Sequence, residues 1–239
     1  MICYQKILEI QPNHMDTYYN LGHVLNKLGD YQKAINYYEK AIQIQPDYVD
    51  AHFNLANTLK ELGEFKKAVN CYQKALEYKP DYVDAHHSIL FTLLYFDKAD
   101  PKYILSKAKE FRSSLKPIND DLLPKHQFNF KPKKLIIGFV SGDFRQHPIG
   151  YFLLDTLKHL KEKNLELIAY SNFQKKDSLS FKLKSHFTNW REISNQNNME
   201  VINQVRKDGI HILIDLSGHT NNNRLPIFIN RPAPVQITW

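Results

Sequence analysis

The 239-residue chain has only two cysteines, Cys3 and Cys71. So few exclude a disulfide-stapled secreted scaffold, and neither has metal-ligating or catalytic partners nearby, so both read as buried free thiols in a reducing compartment. No apolar run approaches ~18 residues and Met1–Lys6 lacks a secretory apolar core, so no membrane span or leader is expected and the chain reads as soluble and cytoplasmic. No G-x-G-x-x-G occurs, which argues against a dinucleotide cofactor. Arginine is missing from residues 1–100, where 10 Lys face 13 acids; subtracted from chain totals of 32 basic and 25 acidic residues, this leaves 22 against 12 in residues 101–239, so net charge goes from −3 to +10. A basic second half suits anionic partners such as nucleotide phosphates. Its lysines are scattered, with no RNA-recognition, helix-turn-helix or zinc-finger pattern beside them, so nucleic acid is not the expected partner. What is present is apolar, 43% with 13% aromatic, enough for two modest cores.

The first hundred residues are periodic. Tyr4, Tyr38 and Tyr72 are spaced by 34, as are Pro12, Pro46 and Pro80, then Leu21, Leu55 and Ile89, with Ala34/Ala68, Ala41/Ala75 and Gly29/Gly63 in the same register. That is the tetratricopeptide period, in which two helices per repeat cannot bury their apolar faces alone and stack into a solenoid. Small Ala34, Ala41, Ala68 and Ala75 permit close helix approach, Tyr31, Tyr38, Phe65 and Tyr72 fill the gaps, and the prolines end each second helix. The reading is a partial repeat over 1–14, repeats over 15–48 and 49–82, and a degenerate one over 83–100, giving a repeat domain at 1–100.

Residues 101–133 read as a helix, with Ile104, Leu105, Ala108 and Phe111 on one face, and then a linker interrupted by Pro117, Pro124 and Pro132. From 134 the pattern alternates: strand at 134–141, helix at 149–163, strands at 165–171 and 187–193, helix at 197–208, strand at 210–216. Such alternation implies βαβ units and a parallel sheet, an α/β Rossmann-like domain over 134–239.

Ligands in open α/β sheets sit beyond the carboxyl ends of strands. The strand Leu135–Val140 runs into Ser141-Gly142-Asp143-Phe144-Arg145-Gln146-His147-Pro148, with Pro148 a favoured first helical residue. A helix start there would attract an anion, and His147 before it is a candidate general base or phosphate donor, or else a helix cap. The strand ending at Leu216 runs likewise into Ser217-Gly218-His219. If the two strands are neighbours, Asp143, His147, Asp215 and His219 share one rim; they follow no known metal-ligand spacing, and no metal is expected.

Asp143-Phe144-Arg145-Gln146-His147-Pro148, residues 208–220 and Arg231–Trp239, in this order after such repeats, resemble the first half of the catalytic region of protein O-GlcNAc transferases and the related SPINDLY proteins. The resemblance covers nearly the whole chain. It implies that the second domain is the incomplete N-terminal lobe of a GT-B glycosyltransferase, truncated before the lobe that binds most of the nucleotide sugar. It implies a protein O-glycosyltransferase, most simply one moving GlcNAc from UDP-GlcNAc to Ser or Thr hydroxyls with no resident cofactor, the fragment alone being inactive. His147 matches the histidine of the family's D-F-x-x-H-P motif, an active-site residue, with Asp143 and His219 beside it. Asn20 and Asn54 match the family's asparagine ladder, which holds acceptor backbone on the concave repeat face, with Asp16 and Asp50 four residues earlier; Ser88 replaces the next ladder asparagine. The rival reading is a non-catalytic repeat adaptor mediating protein–protein contacts.

Overall fold

The computed structural model describes residues 1–96, 100–123, 125, 133–160 and 164–239. They form two compact units, Met1–Leu115 and Lys116–Trp239. Among the described residues no helix is long and apolar enough to cross a membrane.

The first unit is helical: α1 (Ile2–Ile10), α2 (Met15–Lys27), α3 (Tyr31–Ile44), α4 (Val49–Glu61), α5 (Phe65–Tyr78), α6 (Val83–Leu93) and α7 (Pro101–Ser114). Each helix packs on the next from α1 to α7. Within a repeat the turn is built by a left-handed glycine, Gly29 at φ 80° and Gly63 at φ 77°. The following N–H groups reach back six-to-one, Asp30 to the Leu25 carbonyl at 3.0 Å and Glu64 to the Leu59 carbonyl at 2.9 Å, which satisfies carbonyls the helix end would otherwise orphan. Ala34, Ala41, Ala68 and Ala75 are fully buried, so neighbouring helices close onto Tyr38 and Tyr72. Between repeats the proline that ends each second helix has its carbonyl bonded by the side chain six residues on: Tyr18 Oη to Pro12 at 2.9 Å, His52 Nε2 to Pro46 at 2.8 Å, His86 Nε2 to Pro80 at 2.9 Å.

Two expectations fail here. Cys3 is exposed and Cys71 only half-buried, because α1 carries no buried residue at all, while burial still pushes the Cys71 thiol up to about 11. Leu105 is exposed although Phe111 is buried; one residue on from Ile104 turns a helical side chain ~100° away from the packed stripe.

The second unit is a sheet between two helical layers. In chain order it runs a single 3₁₀ turn (Asp120–Leu122), β1 (Leu135–Ser141), α8 (Pro148–Leu160), β2 (Leu165–Ser171), α9 (Ser178–Lys184), β3 (Asn189–Glu192), α10 (Asn198–Lys207), β4 (Ile212–Asp215), α11 (Leu225–Phe228) and β5 (Val235–Thr238). All five strands are parallel, in the order β3-β2-β1-β4-β5. Phe139, Leu167 and Ala169 meet Leu153, Leu157, Leu179 and Leu183 of α8 and α9 on one face. Val140, Ile168, Tyr170 and Leu213 meet Val201, Ile202, Val205 and Ile227 of α10 and α11 on the other. From the segment read as linker, Leu123 joins this second cluster and Ile118 packs partly against it; Pro124 and Pro132 lie outside the described residues. The expected strands and helices at 134–216 recur within a few residues, and α9, α11 and β5 are additional; residues 161–163 of the expected helix lie outside the described residues.

Candidate active site

Because β2 and β3 lie to one side of β1, and β4 and β5 to the other, the strand order reverses between β1 and β4. That reversal opens the crevice in which doubly wound sheets hold ligands. Val140 of β1 sits opposite Asp215 of β4, so the two polar segments after these strands lie side by side. Ser217 Oγ is 3.3 Å from Ser141 Oγ and accepts the Gly142 N–H at 3.2 Å. Gly142 must be glycine for space: a Cβ there would come 2.7 Å from that of Asn222.

Asp143 is buried at the end of β1, with its N–H on Ser141 Oγ at 2.9 Å. Its Oδ1 accepts from Arg145 Nη2 at 3.1 Å and Nε at 3.3 Å, and the Arg145 guanidinium lies 4.5 Å over the Phe173 ring. His147 is about one-third exposed, on the residue before α8. Its Nδ1 accepts the Ile149 N–H at 3.3 Å and lies 3.9 Å from Asp143 Oδ2. The bond from the Ile149 N–H is the contact of a helix cap, and the same nitrogen faces a buried carboxylate. While Nδ1 accepts the Ile149 N–H, the neutral ring carries its proton on Nε2, as a donor suited to an oxyanion. A ring that turns Nδ1–H toward Asp143 Oδ2 instead frees Nε2 to take a proton.

Asp215 and His219 have different surroundings. Asp215 is fully buried and accepts the Ser217 and Gly218 N–H groups at 3.1 and 2.9 Å; burial pushes its carboxyl up, against those two donors. It shapes the turn after β4. Burial also pushes the His219 imidazole down, favouring the neutral ring. Among the described residues no three His, Cys, Asp or Glu side chains gather as a metal-binding group, His147, His219 and Asp215 included.

Three rim residues escape the sequence reading. Arg224 sends Nε to Asn172 Oδ1 (3.0 Å), Nη1 to Asn198 Oδ1 (3.0 Å), and Nη2 to the Ile193 and Gln196 carbonyls (2.8 Å each). It thereby clamps the segments that follow β2 and β3 to the one that follows β4. Asp177 and Ser178 start α9 and bond Gln146, next to His147. The only sequence signal for them is an N-cap pattern, Asp177 ahead of Leu179 and Leu183 with Ser180 three residues on.

In the repeat unit Asn20 and Asn54 lie half-buried on the first helices α2 and α4, with Asp16 and Asp50 exposed near them. Asn54 Nδ2 donates to Tyr19 Oη at 2.8 Å, so this asparagine also ties one repeat to the next. Tyr48 and Tyr82 line the same side; burial first, then neighbouring charges including Asp50, pushes their hydroxyls up to about 12.

These features fall within known families. The model described as Glycosyl transferase family 41 matches residues 63–239, and a tetratricopeptide repeat model matches 3–47 and 13–81. The Oryza sativa subsp. japonica "Probable UDP-N-acetylglucosamine--peptide N-acetylglucosaminyltransferase SPINDLY" is 36% identical over 111 residues, 45% of this chain and 12% of that protein. The Caenorhabditis elegans UDP-N-acetylglucosamine--peptide N-acetylglucosaminyltransferase is 33% identical over 113 residues, 45% of this chain and 10% of that protein. A solved Thermobaculum terrenum O-GlcNAc transferase mutant superposes with a TM-score of 0.81 at 33% identity, covering 99% of this chain and 45% of that one. The chain thus spans about a tenth of these curated relatives and under half of that structure. Helical repeats leading into a parallel α/β unit, matched by the family model over 63–239, make the chain a member of glycosyltransferase family 41.

Proposed function

We propose that this chain supplies the acceptor-binding repeats and the first lobe of a GT-B protein O-glycosyltransferase that moves GlcNAc from UDP-GlcNAc to Ser or Thr hydroxyls. The observation that carries the reading is the pair Asp143 and His147 beyond the carboxyl end of β1, beside the start of α8, at the point where strand order reverses. The names of the relatives supply the sugar and the peptide acceptor. In the reaction the acceptor oxygen bonds to the anomeric carbon, the bond from that carbon to the UDP oxygen breaks with its electron pair leaving on UDP, and the hydroxyl proton is taken up at the rim. His147 Nε2 either accepts that proton or donates to the developing phosphate charge, according to which neighbour holds Nδ1. No resident cofactor enters the proposal. On the repeats, Asn54 Oδ1 and the Asn20 amide serve the backbone of an extended acceptor, since an amide pairs with a peptide without reading its sequence, with Asp16 and Asp50 beside them.

The test is transfer of labelled GlcNAc to a protein acceptor by the full reading frame that contains this chain. A group acting on a proton in the transition state contributes about 10²- to 10⁴-fold. His147→Ala is expected to lower turnover at least ~100-fold with little change in melting temperature, and His219→Ala to do less. A His147→Ala protein that melts lower yet turns over normally in the cold would make His147 a helix cap and remove it from the site, whereas absence of transfer by the unsubstituted full frame would favour the adaptor reading.

A further inference from the structure

We propose that Asp177 is a positioning residue that sets where His147 stands at the rim; the inference rests on the transferase reading of that rim. Asp177 precedes α9 and divides its two carboxylate oxygens between two tasks. Oδ1 alone does the capping, accepting the Leu179 N–H at 3.0 Å, the Ser180 N–H at 2.9 Å and the Ser180 hydroxyl at 3.1 Å. Oδ2 turns the other way and accepts the Gln146 N–H at 2.6 Å. The Gln146 side chain adds a second tie, Nε2 to Ser178 Oγ at 3.1 Å. The residue immediately before His147 is thus bolted twice to the start of α9, once through a carboxylate.

A helix cap requires one acceptor oxygen. The second oxygen is therefore free to serve a separate purpose, and it is spent on the backbone of the segment between β1 and α8. The His147 ring itself is held loosely, at 3.3 Å from the Ile149 N–H and 3.9 Å from Asp143 Oδ2. Its location is consequently set more by where its backbone is pinned than by its own contacts. Charge-assisted N–H···O⁻ bonds are shorter and about twice as strong as neutral ones. Burial pushes the Asp177 carboxyl up, but the donors from Gln146, Ser180 and Leu179 outweigh it and hold it below the usual range, ionised near neutrality.

Asp177→Asn is the discriminating variant, because an amide keeps one acceptor oxygen and replaces the other with an NH₂ that cannot accept. It preserves the cap of α9 and removes the tie to Gln146. Ser180→Ala is the control, since it weakens the cap and leaves the tie. Both are measured on the labelled 239-residue chain by NMR, through amide exchange at Gln146 and the ring nitrogen shifts of His147, alongside thermal melts. Asp177→Asn is expected to speed Gln146 exchange about tenfold or more, as loss of a charged acceptor implies, and to move the His147 ring shifts. Ser180→Ala is expected to change neither, even if it lowers the melting temperature. In the full reading frame Asp177→Asn should cut kcat about tenfold at an unchanged KM for the nucleotide sugar. Ring shifts of His147 that stay at wild type once Gln146 has lost protection, or that move equally in Ser180→Ala, would reduce Asp177 to a cap and overturn the inference. Failure of the transferase reading would show instead as no transfer of labelled GlcNAc by the unsubstituted full reading frame, and the ring shifts would still decide the role of Asp177.

Discussion

In the repeat unit the Pro46 carbonyl is bonded by His52 and the Pro80 carbonyl by His86, one solution applied in successive repeats. In the α/β unit the segments after β2 and β3 are joined to the one after β4 through Arg224, and the segment before His147 is pinned at Asp177. A solenoid whose repeats contact only their neighbours spreads its stability and tolerates a damaged rung. A switch-point site gathers side chains from distant positions, so its precision hangs on single residues. Under the proposed function the two units suit different tasks: a forgiving surface for the acceptor, and a fixed geometry for the reaction.

The sharpest way to break this contrast is at Arg224. Arg224→Met strips donors from the Ile193 and Gln196 carbonyls and from the amide oxygens of Asn172 and Asn198, and an unsatisfied buried acceptor costs about 1–3 kcal/mol. With part of the site open to water, a total loss of about 2–4 kcal/mol is expected. Both tryptophans, Trp190 and Trp239, lie in the α/β unit, so urea unfolding followed by tryptophan fluorescence reads that unit alone. A shift below about 0.5 kcal/mol would mean that the rim does not depend on this clamp.

Next in size is the acceptor surface. Asn20→Ala combined with Asn54→Ala removes two amide-to-backbone pairs, about 1–3 kcal/mol, and should weaken peptide binding tenfold or more at unchanged helicity. Equal affinity in the double variant would make these residues ordinary polar groups, with Asn54 serving only its bond to Tyr19.

A smaller effect is expected at the repeat junctions. His52→Ala leaves the Pro46 carbonyl without its partner and should cost about 1 kcal/mol in the helical melt, and His86→Ala a similar amount. The two costs should add, since they act on separate junctions. A cooperative collapse after either change alone would contradict the distributed stability assigned to the repeats.

The smallest effect concerns pH. Burial lowers the His219 pKa below the 6.5 of an unfolded histidine, so between those two values the unfolded chain binds a proton that the folded chain does not. Stability contributed by the neutral ring is full above 6.5 and lost as pH falls toward the folded value. The fluorescence-detected stability of the α/β unit should decline across that window, and His219→Asn should flatten the decline. An identical slope in the variant would show that another group titrates there.

The same contrast explains what could be read from the sequence. The repeats were legible because their contacts are local and reiterated: six residue pairs or triplets at a 34-residue interval report one register. In the α/β unit β1, α8 and β2 were legible because Leu135–Val140 is a continuous apolar run ahead of Pro148. Short α9 was not, since Ser178–Lys184 carries two lysines and two serines around few apolar positions. Nor was β5, where only four residues, Val235–Thr238, pair at the edge. Of the candidate site, Asp143, His147 and His219 stand out as polar residues just past apolar strands. Arg224, Asp177 and Gln146 matter through partners about 26 to 52 residues away, a separation that no local pattern encodes. The exposed Cys3 and Leu105 show the converse limit, that composition suggests burial but a neighbouring element must exist to provide it.

The division of labour between the units is tested most directly by steady-state kinetics on two variants of the full reading frame, His147→Ala and the Asn20→Ala/Asn54→Ala pair, with the acceptor peptide varied at saturating nucleotide sugar. The account predicts a crossed result: His147→Ala lowers kcat at least ~100-fold with the acceptor KM nearly unchanged, and the asparagine pair raises that KM about tenfold with kcat nearly unchanged. Asparagine variants that lose kcat, or a His147 variant whose defect lies wholly in the acceptor KM, would contradict it.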